Sequence, residues 1–260
     1  MKNNYLTNEQ IAHKAPAVLS LDAAPNVSEK YVHVPTVVLI EGMEKLGWKV
    51  IDVKQSSSRK SDPNYKKHLV IFRNDDIVIT SEDGEVVYPQ ILITNSHNGL
   101  SSFQFRAGLF RLVCSNGLVV ATKEFGAVNI QHKGYSFEQL RTTVMSLIEQ
   151  LPIVVNTLNK TQEITLTEEQ KVEFALAAIG IRFGENGAEV APQELLEPTR
   201  KEDRNNNLWT IFNIVQEKII RGKFMYRTAK GKSRIARSIN NFNRDIELNE
   251  KLYQLVEQYI

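Results

Sequence analysis

The order of the hydrophobic periods constrains this chain most: β-like runs come first and amphipathic helices follow. Residues 86–94 and 102–114 are the longest β-like runs. Shorter ones stand at 68–73 and 77–80 before them, and at 118–121 and 126–132 after them. Turn formers separate these runs: Ser81-Glu82-Asp83-Gly84, Asn95-Ser96-His97-Asn98-Gly99 and Ser115-Asn116-Gly117. Asp-Gly and Asn-Gly close tight hairpins because Asn, Asp and Gly tolerate positive φ. Links this short join antiparallel neighbours, since a parallel pair needs a crossover of about a dozen residues. At Ser136 the period changes. Ser136 with Gln139 has the spacing of a capping box, and Phe137, Leu140, Val144, Leu147, Ile148 and Leu151 share one helical face up to Pro152. Thr167 with Gln170 opens another helix to about Ile181. Asn207 caps a further one, with Leu208, Ile211, Phe212, Val215 and Ile219 on one side and Gly222 at its end. Leu248, Leu252, Leu255 and Tyr259 mark a C-terminal helix. A single helix precedes the strands. Pro35 opens it, Leu39, Ile40, Met43 and Leu46 form its stripe, Gly47 stops it, and Trp48, Val50 and Val53 begin a strand.

Strands grouped before helices argue for α+β rather than alternating α/β: an antiparallel β-meander or set of hairpins with packed helices, then a helical C-terminal region. The expected organisation is a polar N-terminal arm at 1–30, carrying Pro16 and Pro25 and room for a short helix, an α+β core at 31–160, and a helical region at 161–260. Apolar residues are 42% of the chain, enough for a sizeable core without staples. The single cysteine, Cys114, excludes a disulfide framework and reads as a small core residue. His13, His33, His68, His97 and His132 lack metal-ligand spacing, so no metal or organic cofactor is expected. His97 sits where a hairpin tip would expose it to a partner. Asp75-Asp76 reads as a turn, and Trp48 and Trp209 as core anchors. Gly231-Lys232-Ser233 imitates the end of a phosphate-binding loop, but the pattern needs glycine where Tyr226 stands. No apolar run approaches the roughly 18 residues of a membrane helix, and the N-terminus lacks the apolar core of a signal peptide. A cytoplasmic protein without membrane contact is expected.

The net charge of +2 conceals a segregation. Residues 161–203 hold ten acidic side chains against four basic ones. Residues 218–237 hold eight basic side chains and no acidic one: Lys218, Arg221, Lys223, Arg227, Lys230, Lys232, Arg234 and Arg237, with Phe224 and Tyr226 among them. A second stretch, 54–73, carries Lys54, Arg59, Lys60, Lys66, Lys67 and Arg73 around Tyr65, with Asp62 its only acid. Clustered cations gain affinity for a phosphate backbone by releasing its counterions. Interleaved aromatics can stack on unpaired bases. A solvated helix face, or pairing with the chain's own acidic 161–203 segment, is the competing explanation.

Thr94-Asn95-Ser96-His97-Asn98-Gly99, the run from Phe110 through Cys114 to Leu118, and the run from Leu208-Trp209-Thr210 to Arg221-Gly222 resemble a family of phage and plasmid proteins. It is catalogued as domain of unknown function nine-three-two. The similarity covers about 30–240. That resemblance implies a role in mobile-element replication, recombination or conflict with the host. The helix ending at Gly47-Trp48, the strands and the helix from Ser136 are also similar in architecture to single-strand annealing proteins. Those assemble as rings around a basic groove.

The resulting expectation is a non-enzymatic, homo-oligomeric protein that binds single-stranded DNA in a bacterial cytoplasm, and that could anneal strands. Lys54, Arg59, Lys60, Lys66, Lys67, Arg221, Lys223, Arg227, Lys230, Lys232, Arg234 and Arg237 are the phosphate-binding candidates. Tyr65, Phe224 and Tyr226 are the stacking candidates, and His97, Arg106 and Arg111 line a groove on the sheet. The alternative is a protein that blocks a host defence or host enzyme through the 95–99 tip and the acidic 161–203 surface. A nuclease ranks last, because no carboxylate or histidine cluster has the spacing.

Overall fold

The strands expected between residues 68 and 130 pair antiparallel. A computed structural model of the chain describes residues 5–260 except 30, 32, 58–61, 81–85, 102, 112–116, 120–127, 131–135, 185, 186, 201 and 202. For 79, 86, 87, 103, 107–111, 117–119, 128–130, 147, 151, 152, 154 and 155 it describes the backbone only. Arg59, Lys60, Cys114, His132 and the Asp83-Gly84 turn therefore lie outside the described residues. Two compact units part between Leu151 and Pro152. That point is earlier than the expected boundary at 160.

In the first unit the helices α1 (Asn8–Lys14) and α2 (Thr36–Lys45) precede the sheet. Its strands are β1 (Lys49–Gln55), β2 (His68–Arg73), β3 (Ile79–Thr80), β4 (Val86–Asn95), β5 (Phe103–Arg111), β6 (Gly117–Val119) and β7 (Val128–Ile130). The order is β1-β2-β4-β5-β6, with β3 beside β4 and β7 beside β5. Every ladder is antiparallel. Alternation assigns the two faces. Val53, Val70, Ile93 and Phe105 fall in one cross-strand row and are buried. Lys54, Leu69, Thr94 and Gln104 fall in the adjacent row, on the opposite face. Helix α2 covers the first face: the Thr36 hydroxyl meets His68 Nε2 at 2.7 Å, and Asn95 Nδ2 donates to Thr36 Oγ1 at 3.0 Å. Beside α2 packs α3 (Phe137–Glu149), whose Ser136–Gln139 box is closed from both sides.

The N-terminal arm is integrated into this unit, contrary to the expectation for 1–30. Ile11, Ala15, Ala17, Val18 and Ala24 are buried. Leu6 N donates to Val50 O, Ala24 N to His97 O, and Ala17 N to the Gln55 side chain. The reason is residue size. Alanines add little apolar signal, yet they let backbone approach the sheet closely.

Helix α4 (Leu151–Glu163) is an element the periodicity did not predict. Pro152 lies in its first turn, where a missing N–H costs nothing, so it starts a helix as well as limiting the one before. The second unit continues with α5 (Glu168–Phe183), β8 (Ala188–Glu189), α6 (Pro192–Leu196), α7 (Leu208–Arg221), β9 (Met225–Thr228), β10 (Ser233–Ile235) and α8 (Phe242–Val256). Its small antiparallel sheet has the order β10-β9-β8. Helix α7 is buried continuously from Leu208 to Glu217. Its polar side chains are paired inside. Gln216 Nε2 donates to Asn249 Oδ1 at 2.6 Å, and Arg200 bonds Glu217 at 2.8 Å. The C-terminal region is thus helical with a sheet inserted, and the whole chain is α+β. Among the described residues, no helix is long and apolar enough to cross a membrane.

Candidate functional site

The basic segment 218–237 folds as the end of α7 followed by a hairpin. Gly222, with φ 72°, terminates the helix, and its N–H donates to Lys218 O at 2.8 Å. A Cβ on Gly222 would stand 2.3 Å from Ala236 O, so only glycine fits this crossing. Lys223 follows, also with positive φ (68°), and its N–H donates to Ala236 O. The two strands then pair as Met225↔Ile235, Tyr226↔Arg234 and Arg227↔Ser233. Gly231 N–H donates to Thr228 O at 2.7 Å and closes the turn.

The hairpin is mounted on aromatic packing. Phe224 is buried and meets the Phe183 ring edge-on at 6.2 Å. Tyr226 stacks on Phe183 at 5.0 Å. Arg182 sits 5.2 Å from the Phe183 ring and 5.4 Å from the Phe224 ring. Its guanidinium donates to Ile219 O at the end of α7 and to Arg237 O at 2.6 Å beyond β10. Burial pulls Arg182 below its ordinary value, but a guanidinium remains a cation throughout the accessible pH range. Arg244 does the same for α5, donating to Ile181 O and Arg182 O. Arginines near helix carboxyl ends satisfy carbonyls that have no partner within the helix. Arg182 positions the hairpin and Arg244 the end of α5, and neither lies in the two basic stretches.

Phe224 is therefore core and does not stack on a ligand. Tyr226 already uses one ring face on Phe183. The cations behave differently. Lys223, Arg227, Lys230, Lys232, Arg234 and Arg237 are exposed, while Lys218 and Arg221 are half-buried. Arg221 pairs with Glu217 at 3.1 Å. Arg227 pairs with Glu189 at 4.0 Å, with the two side chains 61% and 78% exposed. Among the described residues, Lys223, Lys230, Lys232, Arg234 and Arg237 make no ion pair. Among the described residues, the acidic 161–203 segment reaches the hairpin through that one long ion pair and through Glu194, whose carboxylate accepts from Met225 N–H at 3.3 Å.

The first unit treats its cations otherwise. Lys54, Lys66, Lys67, Tyr65 and Arg106 are half-buried. Arg106 Nη1 donates to Thr94 Oγ1 at 3.5 Å. Burial, with the Arg106 guanidinium nearby, holds the Lys67 ammonium below its usual range. Arg73 is bonded to Asp75 at 2.6 Å and lies 5.0 Å from the Tyr88 ring. The Arg111 side chain lies outside the described residues.

His97 is neither exposed nor in a groove, contrary to expectation. It is fully buried, and its Nε2–H donates to Ala17 O at 2.8 Å. Its ring lies 4.7 Å from His33 and 5.0 Å from His68. The link turns inward because His97 N–H donates to Tyr65 O and the arm closes over it. His68 is fixed in one tautomer: Nδ1–H donates to Lys66 O, and Nε2 accepts from Thr36. Burial, and then His97, push His68 down to about 3. Among the described residues, no group of three His, Cys, Asp or Glu side chains is placed to hold a metal ion.

Comparison with known proteins finds relatives along nearly the whole chain. The chain is 31% identical over 255 residues to the UPF0380 protein YafZ of Escherichia coli strain K12, covering 97% of this chain and 90% of that one. The UPF0380 protein YfjQ of the same strain matches to the same extent. No solved structure matches. The family model for a domain of unknown function, DUF932, spans residues 25–253, from the end of the arm to α8, and the chain belongs to that family.

Proposed function

We propose that this chain binds single-stranded nucleic acid, in the first instance DNA, through the hairpin β9–β10, and serves strand handling in replication or recombination. One observation carries the reading: five exposed cations without an ion pair stand on and beside a hairpin mounted by the buried Phe224 ring and Arg182. Like charges on one hairpin repel, and among the described residues only Glu189, paired with Arg227, and Glu194, bonded to Met225 N–H, bring opposite charge to it. A polyanion supplies it and releases its own counterions. No bond making is required of these residues.

The test is the variant R227A/K230A/K232A/R234A, assayed by filter binding at several salt concentrations with single-stranded and duplex oligonucleotides. Binding should weaken almost equally for all sequences. The slope of log affinity against log salt should become shallower by about 0.7 for each single-strand phosphate no longer neutralised. The change of fold stability should stay within about 0.5 kcal/mol, because the altered side chains are exposed. Unchanged binding by this variant would overturn the reading and favour a protein partner.

A further inference from the structure

Alternation along the hairpin separates two faces. Tyr226 and its partner Arg234 fall on one, with Tyr226 laid against Phe183. The other carries the pair Met225–Ile235 and, next to it, Arg227–Ser233. Met225 is 46% exposed and Ile235 65% exposed, an unusual state for two large apolar side chains directly opposite each other. Exposed cations flank them. Arg227 follows Met225 on the same face, Lys223 stands two residues before Met225, and Arg237 two residues after Ile235.

We infer that Met225 and Ile235 form the base-contacting surface of the hairpin and give it preference for unpaired over paired bases. The inference rests on the nucleic-acid reading above. Its logic is complementarity of two kinds. A single strand offers a line of phosphates and, beside it, the apolar faces of unstacked bases. The hairpin offers exposed cations on either side of an apolar pair, with Glu189 opposite Arg227 as the one acid paired on that face among the described residues. The Met225 thioether is polarisable and packs well against aromatic rings. In a regular duplex the base faces are stacked on one another, so the phosphates can reach the cations but no base can reach the pair. Phe224 and Tyr226 do not supply this surface, since one is buried and the other is stacked on Phe183.

The experiment compares wild type, M225S/I235S and I235F on oligo(dT) and on a duplex of equal length, each across a salt series. For M225S/I235S, single-strand affinity should fall roughly tenfold while duplex affinity and both salt slopes stay the same. I235F should keep or raise single-strand affinity, because an aromatic ring stacks on a base. An unchanged melting temperature shows that the hairpin is still formed. Equal losses on both ligands, or no loss on oligo(dT), would overturn the inference while leaving the cationic site standing. Absence of salt-dependent binding by wild type to either ligand would instead bring down the nucleic-acid reading, and this inference with it.

Discussion

Two stretches of similar composition end in opposite situations. Residues 54–73 and 218–237 each carry clustered cations with interleaved aromatics. In the first unit they form the end of β1, a connection whose described part holds a short 3-10 helix at Pro63–Tyr65, and β2, an inner strand between β1 and β4. There Arg73 is held by Asp75, and Lys67 is half-buried near Arg106. In the second unit they form a hairpin whose outer strand, β10, is exposed along its length. Charge density alone did not separate the two cases. What separated them was cover and pairing rather than place in the sheet: Lys54 on the end strand β1 is half-buried and Arg73 on β2 is held by Asp75, whereas Arg227 on the inner strand β9 and Arg234 on β10 are exposed.

The mounting of the hairpin gives the largest expected effect. Phe224→Ala removes a buried ring and should cost about 3–5 kcal/mol in urea unfolding. It should abolish nucleic-acid binding although no cation changes. If F224A kept full binding, the contrast between a mounted and an unmounted cationic segment would fail. The next effect belongs to the first unit and to acid. Unfolded His68 takes up a proton near the ordinary value, whereas folded His68 does so only at about 3. The folded-state value is depressed for a base, so the unfolded chain binds more protons between the two. Stability is therefore complete above the ordinary value and is lost as pH falls towards 3. About 3 kcal/mol should disappear between pH 7 and pH 4. H68Q should flatten that profile, measured by chemical denaturation across pH, and an equally steep profile in H68Q would show that another group is responsible.

Gly222→Ala places a Cβ against Ala236 O and keeps a positive φ, at an expected cost of about 2–3 kcal/mol. It should weaken binding by misplacing β9. The smallest effect sharpens the comparison most. Lys67→Met removes a half-buried cation near Arg106, so it should raise stability by only a few tenths of a kcal/mol after solvent screening. Nucleic-acid affinity should stay within about twofold, in contrast to the weakening expected of the hairpin variant. A fall in affinity in K67M comparable to that of R227A/K230A/K232A/R234A would erase the distinction between the two stretches.

Local chemistry was legible and distant packing was not. The capping boxes at Ser136 and Thr167 and the Asn207 cap form their expected bonds, because each involves residues three apart. The antiparallel pairing of β4 and β5 followed from a link of a few residues. His97 was misplaced because its burial depends on Ala17, eighty positions away. The arm was undervalued because alanines carry weak apolar signal. Helix α4 was hidden by a proline read as a stop. Within 218–237 the cations were legible as a cluster. The roles of Phe224 and Tyr226 were not, since they depend on Phe183 and Arg182 in a different helix. Met225 and Ile235 went unnoticed, because two exposed apolar residues ten positions apart become neighbours only when the hairpin closes.

The turn at 229–232 has its own practical consequence. Its residues are exposed, and a Cβ at Gly231 would meet nothing within 4 Å. Both ends of the hairpin are fastened instead at Phe224 and Ala236, which are buried. Such a tip is where a folded chain accepts cutting or lengthening. Trypsin acting after Lys230 or Lys232 should nick it while both strands stay seated. The same four positions can accept an inserted peptide or a fluorescent label, which makes the tip the natural attachment point for a reporter on this protein.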